Sequence, residues 1–268
     1  MTSAAQSIAS FNQQARRLSD EEADIRLQLA ACYRLVAHYG WTELIYNHIS
    51  ARVPGKEEHY LLNPFGLLFE EVTASNLVKV DMDCKIVDIT PYTVHPAGFV
   101  LHHAVHAARP DVVCVLHTHT AAGMAVSAMK CGLLPLTQNA MMFHGRVGYH
   151  EFEGLALLTD ERERIAESLG DNAVLILRNH GVLIAASSVP EAFSMMWFLE
   201  KAMQAQVLAM GSGQELNIPT NSAAEVTAKM AFTNNVVEQF DGGQSPVGKL
   251  EWPALLRKLD RIDPGFRD

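Results

Sequence analysis

The sequence predicts an α/β fold in which helices cover a buried sheet. Two continuous apolar runs, Val112–Leu116 and Ala173–Leu177, are typical of strands that are buried on both faces. Around them, longer segments repeat apolar residues at the spacing of one helix face. Hydrophobic residues make up 49% of the 268 residues, which is ordinary for a protein with a substantial core. We therefore expect one domain over residues 19–210.

The N-terminal part is predicted to contain an arm, a helix and short strands. Residues 1–18 are expected to form a flexible arm. Ser19 or Asp20 is suited to cap a helix with an acidic first turn, and Gly40 to end it. Apolar and polar residues alternate in a strand-like pattern over residues 49–53, 59–63, 78–81 and 86–88. A further helix is predicted over Ala97–Ala108, because Pro110 stops helical structure.

The remaining chain is predicted to alternate helices with buried strands. Arg178–Gly181 is expected to form a tight turn that leads into a third strand at Val182–Ala186. Residues 211–268 are expected to be a C-terminal extension that is helical in part, with an amphipathic piece at Trp252–Leu259. Helical patterns cover residues 120–129, 160–169, 190–210 and 223–240.

Charge and cysteine content exclude several classes of protein. The formal net charge is -9 and no basic stripe is present, so we expect no nucleic-acid partner. The four cysteines form no CxxC pair, which is typical of a reducing compartment. The N-terminus lacks the apolar core of a secretory signal, and no apolar run approaches the roughly 20 residues that cross a bilayer. We expect a cytoplasmic protein without a membrane partner.

Three histidines follow the buried strands in a pattern that predicts a metal site. His117 and His119 are two residues apart after the first strand, so their side chains point to the same face. His180 follows the second strand in a sharp turn. If the two strands are neighbours, the three imidazoles converge. Three histidine ligands that leave one position open are typical of a catalytic metal.

Several segments resemble the class II aldolase/adducin family. They are Asn47–Arg52, Ala107–Asp111 leading into Val115–His119, and Leu177–Gly181. Their order and spacing match the family over roughly residues 25–210. The resemblance implies a three-layer α/β/α fold with a central, largely antiparallel sheet.

The same resemblance implies one divalent metal per subunit, held by His117, His119 and His180. Zinc is the usual metal of the aldolases, and manganese or iron stays an alternative because residue types do not distinguish these metals. Many family members are homotetramers that act on a small-molecule substrate. The segment Asn47–Ser50 matches the region that holds phosphate in some of them.

The chain departs from the sugar-phosphate aldolases at a key position. Those enzymes carry an acid/base glutamate just before the helix that precedes the metal-binding strand, and that place falls on Gly98 here. No carboxylate lies between Thr90 and Ala108. Glycine can neither transfer a proton nor bind metal. Asn63-Pro64-Phe65-Gly66 also differs from their phosphate loop, and this part of the chain is more similar to the adducin head domain.

Candidates for the remaining functions follow from residue type and position. His95 is the nearest group that could replace the glutamate, although a hydrogen-bonded loop histidine explains it equally well. Further catalytic candidates are His144 and Tyr149, which we expect in a loop after Pro135. On the helix, His102 is expected to be buried and His106 exposed. Candidate substrate-binding residues are Asn47, Ser50, Asn63, Gly66 and Arg178, of which Arg178 also has a structural explanation.

Three functions are compatible with this pattern. The first is a metal-dependent lyase that stabilises an enolate during aldol cleavage or decarboxylation of a hydroxy acid, keto acid or sugar-like substrate. The second is a non-catalytic adducin-like module for oligomerisation or binding. The third is a non-haem iron oxygenase, because three histidines with an open position also suit iron. No nucleotide-binding motif is present.

Overall fold

A computed structural model describes residues 18–154, 160–231 and 247–268. They form seven strands, eight α-helices and two short 3-10 turns. The strands are β1 Ile49–Arg52, β2 Tyr60–Leu62, β3 Val78–Val80, β4 Cys114–Thr118, β5 Val147–His150, β6 Val174–Leu177 and β7 Gly181–Ala186. The helices are α1 Asp20–His38, α2 Pro96–Ala108, α3 Ala121–Ala128, α4 Gln138–Met141, α5 Glu161–Leu169, α6 Val189–Gly211, α7 Asn221–Ala231 and α8 Glu251–Ile262.

The seven strands form one sheet in the order β3-β2-β1-β4-β7-β6-β5. Every neighbouring pair is antiparallel except β5 and β6, which run parallel. The expectation of a largely antiparallel central sheet is confirmed. As a consequence of this pairing, β4, β2, β6 and β5 end at one edge of the sheet, where β1 and β7 begin. We call this edge the histidine edge, because His117 and His180 lie on it.

Helices cover both faces of the sheet and give three layers. The larger core packs α1, α3, α6 and α8 against one face, through side chains such as Leu116 and Ile184. On the other face, α2 and α5 pack against Val115, Leu175 and Leu183. Alternate residues of β4 thus enter opposite cores, as expected for a strand covered on both faces. His117 lies on the α2 side, because it is two residues beyond Val115.

The sequence predicts most elements, but four details differ. Residues 86–88 form no strand, and Ile86 makes only an isolated bridge to Val80. Tyr149 lies in strand β5, not in a loop. Helix α4 was not expected. The helix predicted over residues 223–240 begins at Asn221. Its continuation beyond Ala231 lies outside the described residues, as do residues 1–17 of the predicted arm.

The C-terminal segment packs on the domain. Trp252, Leu259 and Phe266 are buried in the larger core. Arg34 of α1 forms a salt bridge with Asp263 just after α8. Whether residues 211–268 are a separate extension stays a prediction. No helix in the described part of the chain is long and apolar enough to cross a membrane.

One buried hydroxyl connects α1 to the histidine edge. Tyr33 is fully buried, and its Oη accepts hydrogen bonds from the backbone amides of Ile49 at 2.9 Å and Asn63 at 3.1 Å. The same oxygen is next to the carbonyl of Ile49 and the side-chain oxygen of Asn63, to one of which it donates. It thereby fixes the start of β1 to the end of β2.

Replacing Tyr33 with phenylalanine is expected to lower the free energy of unfolding by roughly 2–3 kcal/mol, because two buried amides lose their acceptor. Urea unfolding followed by circular dichroism would measure the change. The control is Tyr46→Phe, since Tyr46 is 53% exposed and should tolerate the change. Equal stabilities of the two variants would contradict this role of the hydroxyl.

Candidate metal centre

Three histidines meet at the histidine edge of the sheet. His117 lies within β4, His119 follows two residues later, and His180 directly precedes β7. Their ring centroids are 4.6 to 5.0 Å apart. Each side chain brings one ligand atom within 4.8 Å of the others. Within the described residues, no other cluster of histidine, cysteine and carboxylate groups is arranged in this way.

The route by which His180 reaches the cluster differs from expectation. Strands β4 and β6 are not neighbours, because β7 lies between them. The turn after β6 reverses the chain into β7, and this reversal carries His180 back towards β4. Asn179 within the turn has a φ of 59°, which asparagine tolerates better than most residues. Gly181 is also required, since a side chain there would lie 2.5 Å from the Thr118 carbonyl.

Hydrogen bonds orient two of the three imidazoles. His117 Nδ1 lies 2.9 Å from the carbonyl oxygen of Val182, so it carries the proton and donates. His119 Nδ1 lies against a carboxylate oxygen of Glu43 and donates likewise. In both rings the Nε2 atom is then left with a bare lone pair when the imidazole is neutral. These two Nε2 atoms face each other at 2.7 Å.

The arrangement fits a divalent cation. Two bare lone pairs at this separation repel each other, and a cation that accepts both removes the repulsion. Burial lowers the pKa of His117 well below its ordinary value, and it lowers that of His180 to about 4. Both imidazoles are therefore neutral near pH 7, which is the form that binds metal. Three imidazole ligands suit zinc, manganese or iron with an open position.

A fourth histidine occupies the space beside Gly98. An added Cβ at Gly98 would lie 2.3 Å from Cε1 and Nε2 of His48. His48 is 9% exposed, its Nε2 has no partner, and its backbone oxygen accepts from the amide of His117. Burial lowers the pKa of His48 to about 3, aided by the nearby His95 and His119. Position 98 therefore has no room for a glutamate, because an imidazole fills its side-chain volume.

Comparison with known proteins identifies the family. The model of the class II aldolase and adducin N-terminal domain matches residues 27–207. The chain belongs to this family. An aldolase II superfamily protein from Pseudomonas syringae is 47% identical, with a TM-score of 0.87 over 95% of this chain and 99% of that one.

One further relative is named as an aldolase and another as an adducin. L-fuculose 1-phosphate aldolase from Glaciozyma antarctica PI12 is 28% identical, with a TM-score of 0.79 over 92% of this chain and 93% of that chain. Alpha-adducin from Rattus norvegicus is 44% identical over 249 residues, which are 91% of this chain and 34% of the adducin. The expected family and three-layer fold are confirmed.

His95 borders the metal centre, but one of its nitrogens is in use. It caps α2, and its Nδ1 accepts a hydrogen bond from the amide of Gly98 at 3.3 Å. Its ring is 4.6 Å from that of Phe65 and 5.9 Å from that of His48, between ring centroids. In the neutral form Nε2 then carries the proton, so His95 can donate from Nε2 and is not ready to accept there. Its catalytic role stays a prediction.

Three candidate substrate-binding residues, Asn47, Asn63 and Gly66, differ in burial and in hydrogen bonding. Asn47 is fully buried, and neither its side-chain nitrogen nor its oxygen has a hydrogen-bond partner. The side-chain oxygen of Asn63 is held by Tyr33. Gly66 is exposed, and its φ of 98° favours glycine. Asn47 alone among these three has a buried side chain without partners.

Structural contacts hold Arg178 and Tyr149, whereas His144 lies away from the metal cluster. The Arg178 guanidinium donates to the carbonyl of Met129 at 2.6 Å and lies 4.3 Å from the Tyr149 ring centroid. The Tyr149 hydroxyl accepts from the amide of Leu133. His144 precedes β5, whose first residue lies at the edge opposite the metal cluster. Their proposed catalytic and binding roles therefore gain no support from these contacts.

Ser50 binds two histidines of α2 instead of facing the open side of the metal centre. Its hydroxyl lies 2.7 Å from Nδ1 of His102 and 2.8 Å from Nε2 of His106. The expectation that His106 is exposed was wrong, since it is 1% exposed. Its side-chain partner is Ser50 of β1. The helical periodicity of the α2 sequence does not reveal a contact with another element. His102 is buried as expected, with a side-chain partner.

Two residues at the site were missed from the sequence, Glu43 and His48. Both lie in the segment between α1 and β1. His48 is part of the family segment Asn47–Arg52, but only the volume beside Gly98 reveals its position. Glu43 is 76 residues from His119, so no local pattern connects them.

Replacing His117 with alanine is expected to abolish tight metal binding, because two imidazoles remain. The wild-type protein should retain about one equivalent of zinc per chain after loading and dialysis, measured by inductively coupled plasma mass spectrometry. His38→Ala, at an exposed histidine of α1, serves as the control. Unchanged stoichiometry in His117→Ala would refute the ligand assignment.

Acid should destabilise the metal-free protein through the histidines behind the site. Burial lowers the pKa of His106 to about 3 from its ordinary 6.5. Below pH 6.5 the unfolded chain binds a proton that the folded chain excludes, so the free energy of unfolding falls as pH falls. At pH 5 this single residue should lower the free energy of unfolding by about 2 kcal/mol relative to its value well above pH 6.5.

Urea unfolding at pH 7.5, 6.5 and 5, with chelator present, would measure this dependence. His106→Gln should be less stable at pH 7.5 but should decline less steeply with acid. Identical slopes for the variant and the wild type would show that His106 does not contribute.

Proposed function

We propose that this protein is a divalent-metal-dependent carbon–carbon lyase that acts on a small oxygenated substrate, a hydroxy acid, a keto acid or a sugar-like molecule. The observation that carries the proposal is the cluster of three imidazoles, two of which turn their Nε2 atoms towards each other. Membership of the class II aldolase and adducin family supports it. When bound, the metal acts as a Lewis acid that stabilises an enolate.

Residues near the cluster offer polar groups that suit a substrate. The buried Asn47 amide has a free donor and a free acceptor, which suits a polar group of the substrate. His95 offers an Nε2–H donor while its Nδ1 caps α2. Sugar-phosphate aldolases such as the L-fuculose 1-phosphate enzyme are structural relatives. The phosphate itself is not part of the proposal, because no phosphate loop is apparent in the sequence.

Decarboxylation is favoured over aldol cleavage by the contact between Gly98 and His48. His48 fills the space where a side chain at position 98 would lie, and burial keeps its pKa near 3. A carboxylate at this position would require the His48 ring to move. Loss of carbon dioxide generates an enolate without a base that removes a proton, so it depends less on the missing carboxylate than aldol cleavage does.

Several finer features are proposals on the same basis. We propose zinc as the metal, because three histidine ligands and an open position are common for catalytic zinc. By family resemblance we also propose a homotetramer in the cytoplasm. The four separated cysteines are compatible with a reducing compartment such as the cytoplasm.

A non-catalytic binding module is the second candidate. The adducin match supports it, since alpha-adducin is 44% identical over most of this chain. In that case the histidine cluster would hold a structural metal. The two candidates differ in whether the metal-loaded protein transforms any small molecule.

The zinc-loaded protein is expected to convert at least one member of a panel of 3-keto acids, which lose carbon dioxide to leave an enolate, 4-hydroxy-2-keto acids, which undergo retro-aldol cleavage, and ketoses. Proton nuclear magnetic resonance in D2O would detect the products and any exchange of hydrogens next to a carbonyl. His117→Ala, with its incomplete ligand set, should be inactive. A fully loaded wild-type protein that gives neither product nor exchange would favour the binding module.

A further inference from the structure

Glu43 contacts the metal centre from outside the ligand set. One carboxylate oxygen accepts a hydrogen bond from His119 Nδ1, on the side of the ring that faces away from His117. The Glu43 side chain is 47% exposed, and the His119 side chain is 18% exposed. The contact therefore lies at the rim of the site, and the carboxylate is directed at a ligand instead of at the cluster centre.

The segment that carries Glu43 is anchored on both sides. Two residues earlier, the Trp41 ring stacks on Phe193 at 5.6 Å between centroids and lies 5.8 Å from that of Trp197. After it, the amide of Tyr46 donates to the Glu43 carbonyl at 3.0 Å. Leu44 has a φ of 51°, an unfavourable conformation for leucine that this tight turn requires. The packing thus places Glu43 at a fixed point beside His119.

His119 depends on a side chain for its orientation, whereas His117 does not. The Nδ1 atom of His117 donates to a backbone carbonyl within the β4–β7 pairing, which no substitution removes. Among the described residues, no group other than Glu43 forms a hydrogen bond with the Nδ1 atom of His119. Without Glu43, the His119 ring could rotate or carry its proton on Nε2, where a metal would bind. A carboxylate that holds the distal nitrogen of a ligand histidine fixes both its tautomer and its ring angle.

We propose that Glu43 is a positioning residue of the metal centre, which holds His119 with its Nε2 atom free for a divalent cation. This inference concerns metal binding and stands apart from the proposed lyase activity, because it holds for a catalytic and for a structural metal.

The test compares zinc affinity in four proteins without any substrate. Competition with a chromophoric zinc chelator would give the dissociation constants of wild type, Glu43→Ala, Glu43→Gln and Glu21→Ala. Glu43→Ala should bind zinc 10- to 100-fold more weakly. Glu43→Gln should recover most of the affinity, because its amide oxygen still accepts from Nδ1. Glu21→Ala removes an exposed carboxylate of α1 and should behave as wild type.

A second measurement separates orientation from general loss of structure. Long-range proton–nitrogen correlation spectra of the metal-free protein report which nitrogen of each histidine carries the proton. His119 should be protonated on Nδ1 in the wild type and in Glu43→Gln, and should become a mixture in Glu43→Ala. If circular dichroism shows that Glu43→Ala does not fold, two other results decide the question. They are the zinc affinity of Glu43→Gln and the tautomer of His119 in the wild type.

Wild-type zinc affinity in Glu43→Ala, or a His119 proton on Nε2 in the wild type, would overturn the proposal. Failure of the lyase proposal would appear differently, as zinc-loaded wild-type protein without turnover. A wild-type protein that binds no zinc would refute the metal centre itself.

Discussion

The structure depends on keeping several buried histidines neutral on the α2 side of the sheet. Burial lowers the pKa values of His48, His102, His106 and His117 well below the ordinary value, so each imidazole presents lone pairs as well as N–H donors. Ser50 and the Val182 carbonyl bind some of these nitrogens, while the remaining Nε2 atoms of His117 and His119 face each other. The distribution of hydrogen-bond partners therefore determines where a cation fits.

The contact between His48 and Gly98 couples the sheet to the start of α2. A bulkier residue at either position would push β1 and α2 apart or displace the ring, because the ring lies within 2.3 Å of any Cβ at position 98. Glycine at position 98 thus makes room for the His48 ring, and it also lacks an acid/base side chain. One substitution towards glutamate would not recreate an aldolase site, since the histidine would also have to move.

The sequence predicts six of the seven strands, seven of the eight α-helices and the three histidines that converge, but it does not predict β5 or α4. Buried strands β4 and β6 appear as apolar runs, and the two-residue spacing of His117 and His119 follows from strand geometry. Strand order does not follow from these patterns, so the place of β7 between β4 and β6 was not foreseen. Contacts between distant segments were also missed: Glu43 with His119, and Ser50 with His106. Such pairs depend on sheet register and helix placement, which act over 50 residues or more of sequence.

Unsatisfied polar groups distinguish this edge from an ordinary core. The amide of Asn47 and Nε2 of His48 and His102 are buried without partners in the structure. Leaving a buried polar group unpaired costs about 1–3 kcal/mol, and apolar residues of similar size would avoid that loss. A domain with a purely structural task would be more stable without these groups. Other buried side-chain atoms without partners, such as Ser194 Oγ and Trp252 Nε1, belong to other parts of the described chain. Those of Asn47, His48 and His102 lie near three convergent ligands, where a bound molecule would complete the hydrogen bonding. This argument favours a small-molecule site over a scaffold, and it is independent of which reaction the site performs.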